Sequence, residues 1–251
     1  SGWIAAHYGG TAPWWARALG LLAWLHPGWR AELRHRAMHL QLVPDGRLLE
    51  VGCGNGDLLL GMQQRGWQVT GVDFDATAAA QARARGLDVR TGDLRAQQFA
   101  SGSFDAVTMF HLIEHVPDPR ALVAECRRLL APGGRIVVAT PNARSRGLAR
   151  YGANWLDLDP PRHLHLFPPR TLRRLVEDAG FAVESLTTSL RNAEITCAGS
   201  RAITRRGRFA MHERPSLATR LHTLAFLHAS WLHRAFAPLA AEETVVVARA
   251  R

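Results

Sequence analysis

The sequence predicts an α/β fold in which a mostly parallel β-sheet is covered by helices on both faces. Over residues 47–140, short apolar runs of strand length alternate with segments of helical spacing. Such alternation is typical of strand–helix–strand units, whose strands are parallel. The composition agrees with a globular domain, because 47% of the 251 residues are hydrophobic and 21% are charged. A mainly disordered, collagen-like or coiled-coil chain is excluded.

Five strands and three helices are predicted in this alternating region. The strands are Arg47–Gly52, Trp67–Asp73, Leu87–Thr91, Phe104–Phe110 and Arg135–Thr140. The helices are Asp57–Arg65, Ala76–Arg85 and Asp118–Leu130. Gly180 suits a helix end, so a further helix is predicted over Thr171–Ala179 and a sixth strand over Phe181–Leu186. The apolar run Thr244–Ala248 predicts a last strand near the C-terminus.

Two segments lie outside this alternation and suggest a division into three parts. The N-terminal segment is rich in Trp and Leu and has helical character. The segment before the last strand contains a basic part, 201–208, and an apolar helix candidate, Leu217–Ala240. The predicted parts are an N-terminal segment, a main domain in two pieces and a helical insert, at 1–44, at 45–190 with 242–251, and at 191–241.

The net charge of +10 is concentrated toward the C-terminus. All 31 basic residues are Arg, so part of the excess reflects a composition bias. From Arg191 onward there are ten Arg and four Glu, which places +6 of the charge there. This asymmetry favours an acidic partner, such as a membrane surface or a phosphate-bearing substrate, although a solvated basic face fits equally well. Nucleic acid is not expected, because the basic residues do not alternate with stacking aromatics.

Cysteine spacing and hydropathy indicate a compartment. Cys53, Cys126 and Cys197 lie far apart and form no CxxC pair. Neither a disulfide framework nor a Cys-rich zinc site is expected, and a reducing compartment, the cytoplasm, fits best. No uncharged run reaches about 18 residues, so no membrane span is expected.

The most informative segment is a strand that runs into a glycine-rich turn, LLEVGCGNG at Leu48–Gly56. Glycines permit positive φ and close approach of a ligand, and the following helix offers free N–H groups to an anion. A dinucleotide and S-adenosylmethionine are the competing ligands. The dinucleotide fingerprint requires Gly or Ala where this chain has Asp57, whose carboxylate would repel a pyrophosphate. Glu50 would help to hold an ammonium group indirectly.

Acidic residues follow the next two predicted strands. Asp73 ends the second strand and is suited to accept hydrogen bonds from two ribose hydroxyls, with Phe74 against adenine. Asp93 follows the third strand and is placed to accept from the adenine amino group, while the Leu94 N–H donates to the ring. Because the carboxyl ends of parallel strands share one edge of the sheet, these groups are expected to form one ligand site.

Successive motifs of the chain resemble those of the class I S-adenosylmethionine-dependent methyltransferases. They are LLEVGCGNGDLL, VTGVDFD, TGDL, FDAVTMFHLIEHVPDP and LLAPGGRIVVATPN, in the family's order. The resemblance covers roughly 45–187 and the final strand. The segment NWLDLDPPRHLHLFPPRTLRRLVEDAGF is similar to a signature of a bacterial subgroup related to ubiquinone-biosynthesis O-methyltransferases.

The resemblance implies a Rossmann-like sheet of seven strands in the order 3-2-1-4-5-7-6, with strand 7 antiparallel. It also implies a helical N-terminal lid and a substrate cap for the insert. The implied cofactor is S-adenosylmethionine, bound by Glu50, Gly52, Cys53, Gly54, Asp73, Phe74, Asp93, Leu94 and Phe110. The implied reaction is methylation, expected at an oxygen of a small-molecule, lipid-linked or glycan acceptor.

Two histidines are candidates for the general base that a hydroxyl acceptor needs. A base with a pKa near 7 works best, which favours histidine. His111 is expected at the end of the fourth strand, beside the transferred methyl group. His163 lies in a long loop that can fold over the pocket. A structural role, in which the ring bonds a backbone carbonyl, stays open for both.

No metal ion is expected in the site. The segment His111–His115 has the H-x-x-E-H form of a zinc-peptidase motif, but Pro117 interrupts the helix which that motif needs. The related ubiquinone enzymes often carry an acidic residue in place of His111, and some are thought to use a divalent ion. A pair of histidines with Glu would prefer a softer metal than magnesium.

Rival interpretations of the whole chain and of the insert stay open. An NAD-dependent oxidoreductase or epimerase is disfavoured by Asp57 and by the absence of Lys, which excludes a Tyr-x-x-x-Lys pair. A catalytically silent regulator that binds S-adenosylmethionine is the other rival. The insert suits a substrate cap, a contact between copies, or a peripheral membrane contact through 201–240, which would place the protein at the inner face of the membrane.

Overall fold

The computed structural model of the chain describes residues 34–41, 43, 45–211 and 214–251. Most of the expected N-terminal lid, 1–44, therefore lies outside the described residues. Of its described part, Met38 and Leu40 are buried in the same apolar cluster as Leu48 of the first strand. This end of the segment packs on the sheet.

Seven strands form one sheet in the order β3-β2-β1-β4-β5-β7-β6. They are β1 (Arg47–Val51), β2 (Gln68–Asp73), β3 (Asp88–Thr91), β4 (Phe104–Phe110), β5 (Leu130–Pro141), β6 (Phe181–Ser189) and β7 (Glu243–Ala250). The first five strands pair in parallel, and β7 is antiparallel to both β5 and β6. The predicted fold class, strand order and antiparallel last strand are confirmed.

Helices connect the strands and form the insert. They are α1 (Asp57–Gln63), α2 (Ala76–Ala84), α3 (Pro119–Leu129), α4 (Arg146–Tyr151), α5 (Pro169–Asp178), α6 (Ala193–Arg206) and α7 (Leu217–His233). Side-chain caps fix several helix starts. Asp75 accepts hydrogen bonds from the Thr77 and Ala78 backbone N–H groups, and Asp118 accepts one from Ala121. These caps satisfy donors that the first turn of a helix leaves free.

Both faces of the sheet are buried, which explains the continuous apolar runs of the central strands. Leu49 and Ile136 belong to the core on one face, whereas their chain neighbours Leu48 and Val137 belong to the core on the other. Successive side chains of a strand point to opposite faces, so a strand covered on both sides has no polar alternation. Because β1, β2 and β4 run parallel, their carboxyl ends meet at one edge of this sheet.

Two elements differ from their predicted bounds by five or more residues at one end. β5 begins at Leu130 instead of Arg135, because Leu130 pairs with Phe104 across a register shift between β4 and β5. α7 ends at His233 instead of Ala240. Pro238 follows soon afterwards and has no N–H with which to continue a helix.

The insert consists of α6 and α7, which pack against each other, and α6 also packs against α4. The Tyr151 hydroxyl at the end of α4 lies 2.9 Å from His222 Nε2 and 3.1 Å from Cys197 Sγ, and so connects all three helices. No described helix is long and apolar enough to cross a membrane.

Candidate functional site

The turn between β1 and α1 depends on glycine. Gly52, Gly54 and Gly56 have φ values of 76°, 53° and 78°, a region that L side chains rarely adopt. A Cβ on Gly52 would lie 3.0 Å from a methyl carbon of Leu112, and one on Gly56 would overlap the side chain of Leu87. The sharp turn brings the backbone N–H groups at the start of α1 to the carboxyl edge of the sheet.

A cleft of ≈ 550 Å³ opens beside this turn. Six of the predicted site residues line it, namely Glu50, Gly52, Cys53, Gly54, Phe110 and His111. They belong to the ends of β1 and β4 or to the loops that follow. These two strands are neighbours at the point where the strand order reverses, which is where open parallel sheets bind ligands.

Glu50 is a buried carboxyl with an unused acceptor. Its side chain is 2% exposed, and its Oε2 atom has no hydrogen-bond partner among the described residues. Burial, and then the charge of Asp73, raise the pKa of Glu50 well above its usual range. An unpaired carboxyl in such a place costs free energy unless a donor or a cation approaches it. Glu50 therefore marks a position for a positively charged ligand group.

Asp73 ties the end of β2 to the glycine turn. Its Oδ2 atom accepts a hydrogen bond of 2.7 Å from the Gly54 N–H, and its Oδ1 atom accepts one of 2.8 Å from the Asp75 N–H. Each carboxylate oxygen keeps a second lone pair for a ligand hydroxyl. The neighbouring acid, Asp75, caps α2 instead, as the sequence indicates.

Asp57 lines the cleft but is not an isolated negative charge. Its Oδ1 atom lies 2.6 Å from Arg85 Nη1, and the same nitrogen donates to the Asn55 carbonyl oxygen. Hydrogen bonds from Arg85 and then Asn55 lower the pKa of Asp57. Arg85 therefore offsets part of the repulsion that the sequence predicts between Asp57 and a pyrophosphate.

His111 is held between two buried carboxylates. Its Nε2 atom lies 2.9 Å from Glu243 Oε1, and its Nδ1 atom lies 3.5 Å from Glu114 Oε1. Arg191 Nη1 approaches the same Glu243 oxygen at 3.3 Å. Burial lowers the pKa of His111, but the hydrogen bonds to Glu114 and Glu243 outweigh it and raise the pKa to about 10.

The role of His111 as a general base stays a prediction, and this geometry favours the structural role instead. Nε2 donates to Glu243 and Nδ1 lies at ion-pair distance from Glu114, so in the charged ring neither nitrogen has a lone pair for an incoming proton. With a pKa of about 10, the ring keeps its positive charge near neutral pH. The sequence did not reveal this, because Glu243 lies 132 positions away on the last strand.

A family model described as a methyltransferase domain matches residues 23–186, which is more than half of the chain. The chain belongs to this methyltransferase-domain family. The family resemblance that the motifs predict is thereby confirmed. The matched range includes β1 to β5, the glycine turn and every predicted site residue.

Relatives of this methyltransferase-domain protein agree with the predicted subgroup. The ubiquinone biosynthesis O-methyltransferase of Pseudomonas paraeruginosa is 36% identical over 152 residues, which cover 55% of this chain and 66% of that protein. The enzyme of the same name from Xanthomonas oryzae pv. oryzae is 38% identical over 160 residues, covering 59% and 62%. The chain thus matches somewhat less than two thirds of these relatives' length.

Solved structures support the fold of the methyltransferase domain. An S-adenosylmethionine-dependent methyltransferase from Mesorhizobium loti shares 22% identity and a TM-score of 0.58, over 89% of this chain and 98% of that one. One from Archaeoglobus fulgidus shares 20% identity and a TM-score of 0.58, over 88% and 92%. A [4+2]-cyclase, SpnF, is equally similar, with a TM-score of 0.60 and 22% identity over 89% and 82%. The fold alone therefore does not determine the reaction.

Five predicted residues of the methyltransferase do not line the cleft with the others, namely Asp73, Phe74, Asp93, Leu94 and His163. Of these, Phe74, Asp93 and Leu94 follow β2 and β3 along the same edge of the sheet. Phe74 follows β2 and is 64% exposed, so one ring face is open to a ligand. Asp93 follows β3 and accepts a hydrogen bond from the Arg95 N–H, whereas the Leu94 side chain is buried. Their contacts with adenine stay predictions.

Three cleft residues of the methyltransferase were not predicted individually. His35 and Arg36 come from the N-terminal segment, and Arg191 from the start of the insert. Burial and then the charge of Arg191 lower the pKa of His35 to about 3, and its ring meets Phe110 edge-on at 4.8 Å. The sequence analysis included His35 and Arg36 only as part of the expected N-terminal lid, and no sequence pattern indicated Arg191.

His163 pairs with a histidine that the sequence analysis assigned to loop structure. His163 Nδ1 lies 2.7 Å from the Asp157 carbonyl oxygen, and His115 Nδ1 lies 2.9 Å from that of Arg162. A carbonyl oxygen can only accept, so Nδ1 carries the proton in each ring and Nε2 keeps a lone pair. The two ring centroids are 4.7 Å apart. A base role for His163 stays a prediction, and this tautomer suits it.

The same two imidazoles lie beside Glu114. Ligand atoms of Glu114, His115 and His163 all fall within 4.8 Å of one another. Carbonyl bonds to Nδ1 orient both rings in the way that is common for metal-binding histidines. Such a set of nitrogen and oxygen donors suits a transition metal better than magnesium. The expectation that the site needs no metal stays a prediction.

Proposed function

We propose that this chain transfers a methyl group from S-adenosylmethionine to an oxygen atom of a small-molecule acceptor. The observation that carries the proposal is the buried, unpartnered carboxyl of Glu50 beside the glycine turn. The cofactor's amino-acid part has an ammonium group, which suits this acceptor, and a nicotinamide dinucleotide has none. The family and the O-methyltransferase relatives support the same reaction.

In this mechanism the chain binds and aligns the reactants. When bound, S-adenosylmethionine supplies an electrophilic methyl group on sulfur, and its transfer to oxygen leaves S-adenosylhomocysteine. Glu50 would face the ammonium group, the N–H groups at the start of α1 the carboxylate, and Asp73 the ribose hydroxyls. Alignment and exclusion of water account for most of the acceleration expected of such a site.

The acceptor hydroxyl must lose its proton as the new bond forms. We assign this proton to Nε2 of His163, since Nδ1 of that ring donates to the Asp157 carbonyl oxygen. His111, Glu114 and Glu243 have another role in this proposal. Their buried ion pairs hold the end of β4 against β7 and fix the cleft wall. Such a network is costly to form but strongly destabilising to break.

Calorimetry separates this function from that of a nicotinamide enzyme. We expect S-adenosylhomocysteine to bind and NAD to show no measurable heat. Glu50→Gln should weaken binding of S-adenosylhomocysteine about tenfold or more, because the bound ammonium group favours the ionised form of Glu50, which an amide cannot provide. Glu242→Gln, which changes another buried carboxyl away from the cleft, is the control and should leave affinity unchanged. Tight binding of NAD would overturn the proposal. Binding of S-adenosylhomocysteine without turnover of any hydroxyl acceptor would favour the silent regulator.

We also propose that the insert contacts an anionic membrane surface. Five large apolar residues on one side of α7 are at least half exposed, namely Leu217, Leu221, Leu224, Trp231 and Leu232. The residues that α7 buries, Thr223, Phe226 and Ser230, lie on the opposite side. Arg220 lies on α7 beside this apolar side, and Arg208 and Arg214 lie in the segment before it. Apolar exposure combined with positive charge is typical of helices that lie in a membrane interface.

Vesicle sedimentation tests the membrane contact. The protein should bind phosphatidylserine-containing vesicles more tightly than pure phosphatidylcholine vesicles, and less tightly as salt increases. Replacing Leu221 and Leu224 by Gln should reduce binding at least about tenfold, since one buried Leu contributes about 1.5–3 kcal/mol. Replacing the exposed pair Leu164 and Leu166 by Gln is the control. The protein could instead fail to bind vesicles and sediment as a dimer. If replacing Leu221 and Leu224 by Gln then abolished the dimer, α7 would be assigned to a contact between copies of the chain.

A further inference from the structure

The insert contains a second cavity, separate from the cleft described above. Its volume is ≈ 940 Å³, and its walls are one face of α6 together with residues of 209–211 and 214–219, before and at the start of α7. The lining positions on α6 recur at intervals of three or four, so they form one stripe along the helix. Apolar side chains form much of the wall, namely Ile195, Ala198, Ala202, Phe209, Met211 and Pro215.

One end of this insert cavity is strongly cationic. Its lining includes Arg201, Arg205, Arg206 and Arg214, and Glu194 is the only acidic residue among the described residues that line it. Arg201 and Arg205 also line a neighbouring cavity of ≈ 460 Å³ together with Arg150. Arginines of both cavities also act on His222, whose pKa is lowered by burial and then by the charges of Arg201, Arg150 and Arg205.

Arg201 has an unused donor inside this region. Its Nε atom is buried and has no hydrogen-bond partner among the described residues. A buried guanidinium N–H without an acceptor is unfavourable, and a bound anion would relieve it. Phosphate is the anion that best matches the fork of donors on several arginines. The cavity therefore has both a place for a phosphate group and an apolar wall beside it.

The insert cavity and the methyl-transfer cleft approach each other at the start of α6. Arg191 lines the cleft, and the next residue, Asn192, lines the cavity. An α-helix rises about 1.5 Å per residue, so Arg201 and Arg205 lie about 13 Å and about 20 Å along α6 from Asn192. A molecule that occupies both places must be long, with its anionic group far from its reacting atom.

Building on the methyl transfer proposed above, we propose that the insert cavity binds the acceptor, and that the acceptor is an amphiphile with a phosphate group. Arg201 and Arg205 bind the phosphate, and the apolar stripe of α6 covers the hydrocarbon or ring part. The methylated oxygen then lies about 13–20 Å from the phosphate, at the cleft end of α6. The arginines thus select a phosphate-bearing acceptor over a neutral one of the same length.

Calorimetry with n-octyl phosphate tests this assignment, in protein saturated with S-adenosylhomocysteine. Octyl phosphate should bind, and its affinity should fall with added salt because the interaction is ionic. Octyl glucoside, which has the same chain and no charge, and inorganic phosphate, which has no chain, should each bind at least about tenfold more weakly. Saturation with S-adenosylhomocysteine shows in the same sample that the cofactor site is intact.

Variants identify the arginines responsible. Arg201→Gln combined with Arg205→Gln should weaken octyl phosphate at least about tenfold and leave the Kd of S-adenosylhomocysteine unchanged. Arg208→Gln is the matched control, since Arg208 is exposed in the same segment but does not line the cavity. Because Arg201→Gln removes a buried unpaired donor, the ligand-free variant should not melt at a lower temperature than the parent protein.

Three results would overturn the inference. The first is equal affinity for octyl phosphate and octyl glucoside, and the second is equal affinity for octyl phosphate and inorganic phosphate. The third is a loss of octyl phosphate affinity in Arg208→Gln as large as that in the double variant. Each could occur while S-adenosylhomocysteine still binds, and the proposed methyl transfer would then stand without this acceptor class. Failure of S-adenosylhomocysteine to bind would instead remove the methyl transfer itself.

Discussion

Asp73→Ala is expected to weaken binding of S-adenosylhomocysteine by about 1–3 kcal/mol, which is roughly a 5- to 150-fold increase in Kd. The carboxylate already accepts hydrogen bonds from the Gly54 and Asp75 N–H groups, and each oxygen keeps a further lone pair that we expect to accept from a ribose hydroxyl. The alanine variant loses both contributions, namely the acceptor for the ligand and the bond that shapes the glycine turn. Calorimetry with the parent protein and the variant under identical conditions gives the difference directly.

The neighbouring Asp75 provides the control for Asp73. Asp75→Ala removes an acid two positions away and costs α2 its N-terminal cap, about 0.5–2 kcal/mol of stability. It does not touch the glycine turn through its side chain, so ligand affinity should stay within a factor of about two. Unchanged affinity in Asp73→Ala, or an equal loss in Asp75→Ala, would remove Asp73 from the ligand site.

Sequence patterns gave the central part of the fold because its signals are local. β1, β2, β4 and β5 each contain a short apolar run, and the turns beside them contain Gly, Pro or Asp that act within a few residues. The orientation of β7 is different, because TVVVA at 244–248 is compatible with either direction. Only the family resemblance supplied the antiparallel pairing of Val246 with Val138 of β5.

In the candidate site, too, local features could be predicted from the sequence and long-range contacts could not. Glu50, Gly54 and Asp73 could be predicted since each adjoins the strand that places it. The partners of His111 and Asp57 could not, because Glu243 and Arg85 reach them from 132 and 28 positions away. Those long-range partners set the charge of the groups concerned, so the sequence could not show that the His111 ring lies between two carboxylates.

The sequence predicted where the excess positive charge lies, but it did not predict what that charge binds. The excess of Arg after residue 191 suggested an acidic partner but could not distinguish a membrane from a substrate. The structure places some of these arginines around a cavity and others beside an exposed apolar helix face. Periodicity alone did not show which side of α7 faces outward, because the helix is apolar on most of its circumference.

The second large effect is expected in stability at alkaline pH. The pKa of His111 is raised from 6.5 to about 10 in the folded protein, so the folded state holds a proton that the unfolded state releases above pH 6.5. The stabilisation is complete below pH 6.5 and is lost as pH rises to about 10. Linkage limits the slope from one such group to about 1.4 kcal/mol per pH unit.

His111→Gln isolates this contribution from those of other groups. Burial raises the pKa of Glu242 to about 7 and also raises that of Glu50, so both carboxyls add pH dependence of their own. They are unchanged in the variant, and their effects cancel in the difference between the two proteins. Urea unfolding from pH 7 to pH 10 should show the variant less stable at pH 7 and the gap closing as pH rises.

The sign of that change decides what His111 does. An imidazolium between Glu114 and Glu243 stabilises the fold only while it is charged, so the stability gap must shrink with rising pH. Parallel stability curves for the two proteins, or an NMR titration of the His111 ring with a pKa near 6.5, would show a neutral ring and would restore His111 as a candidate base.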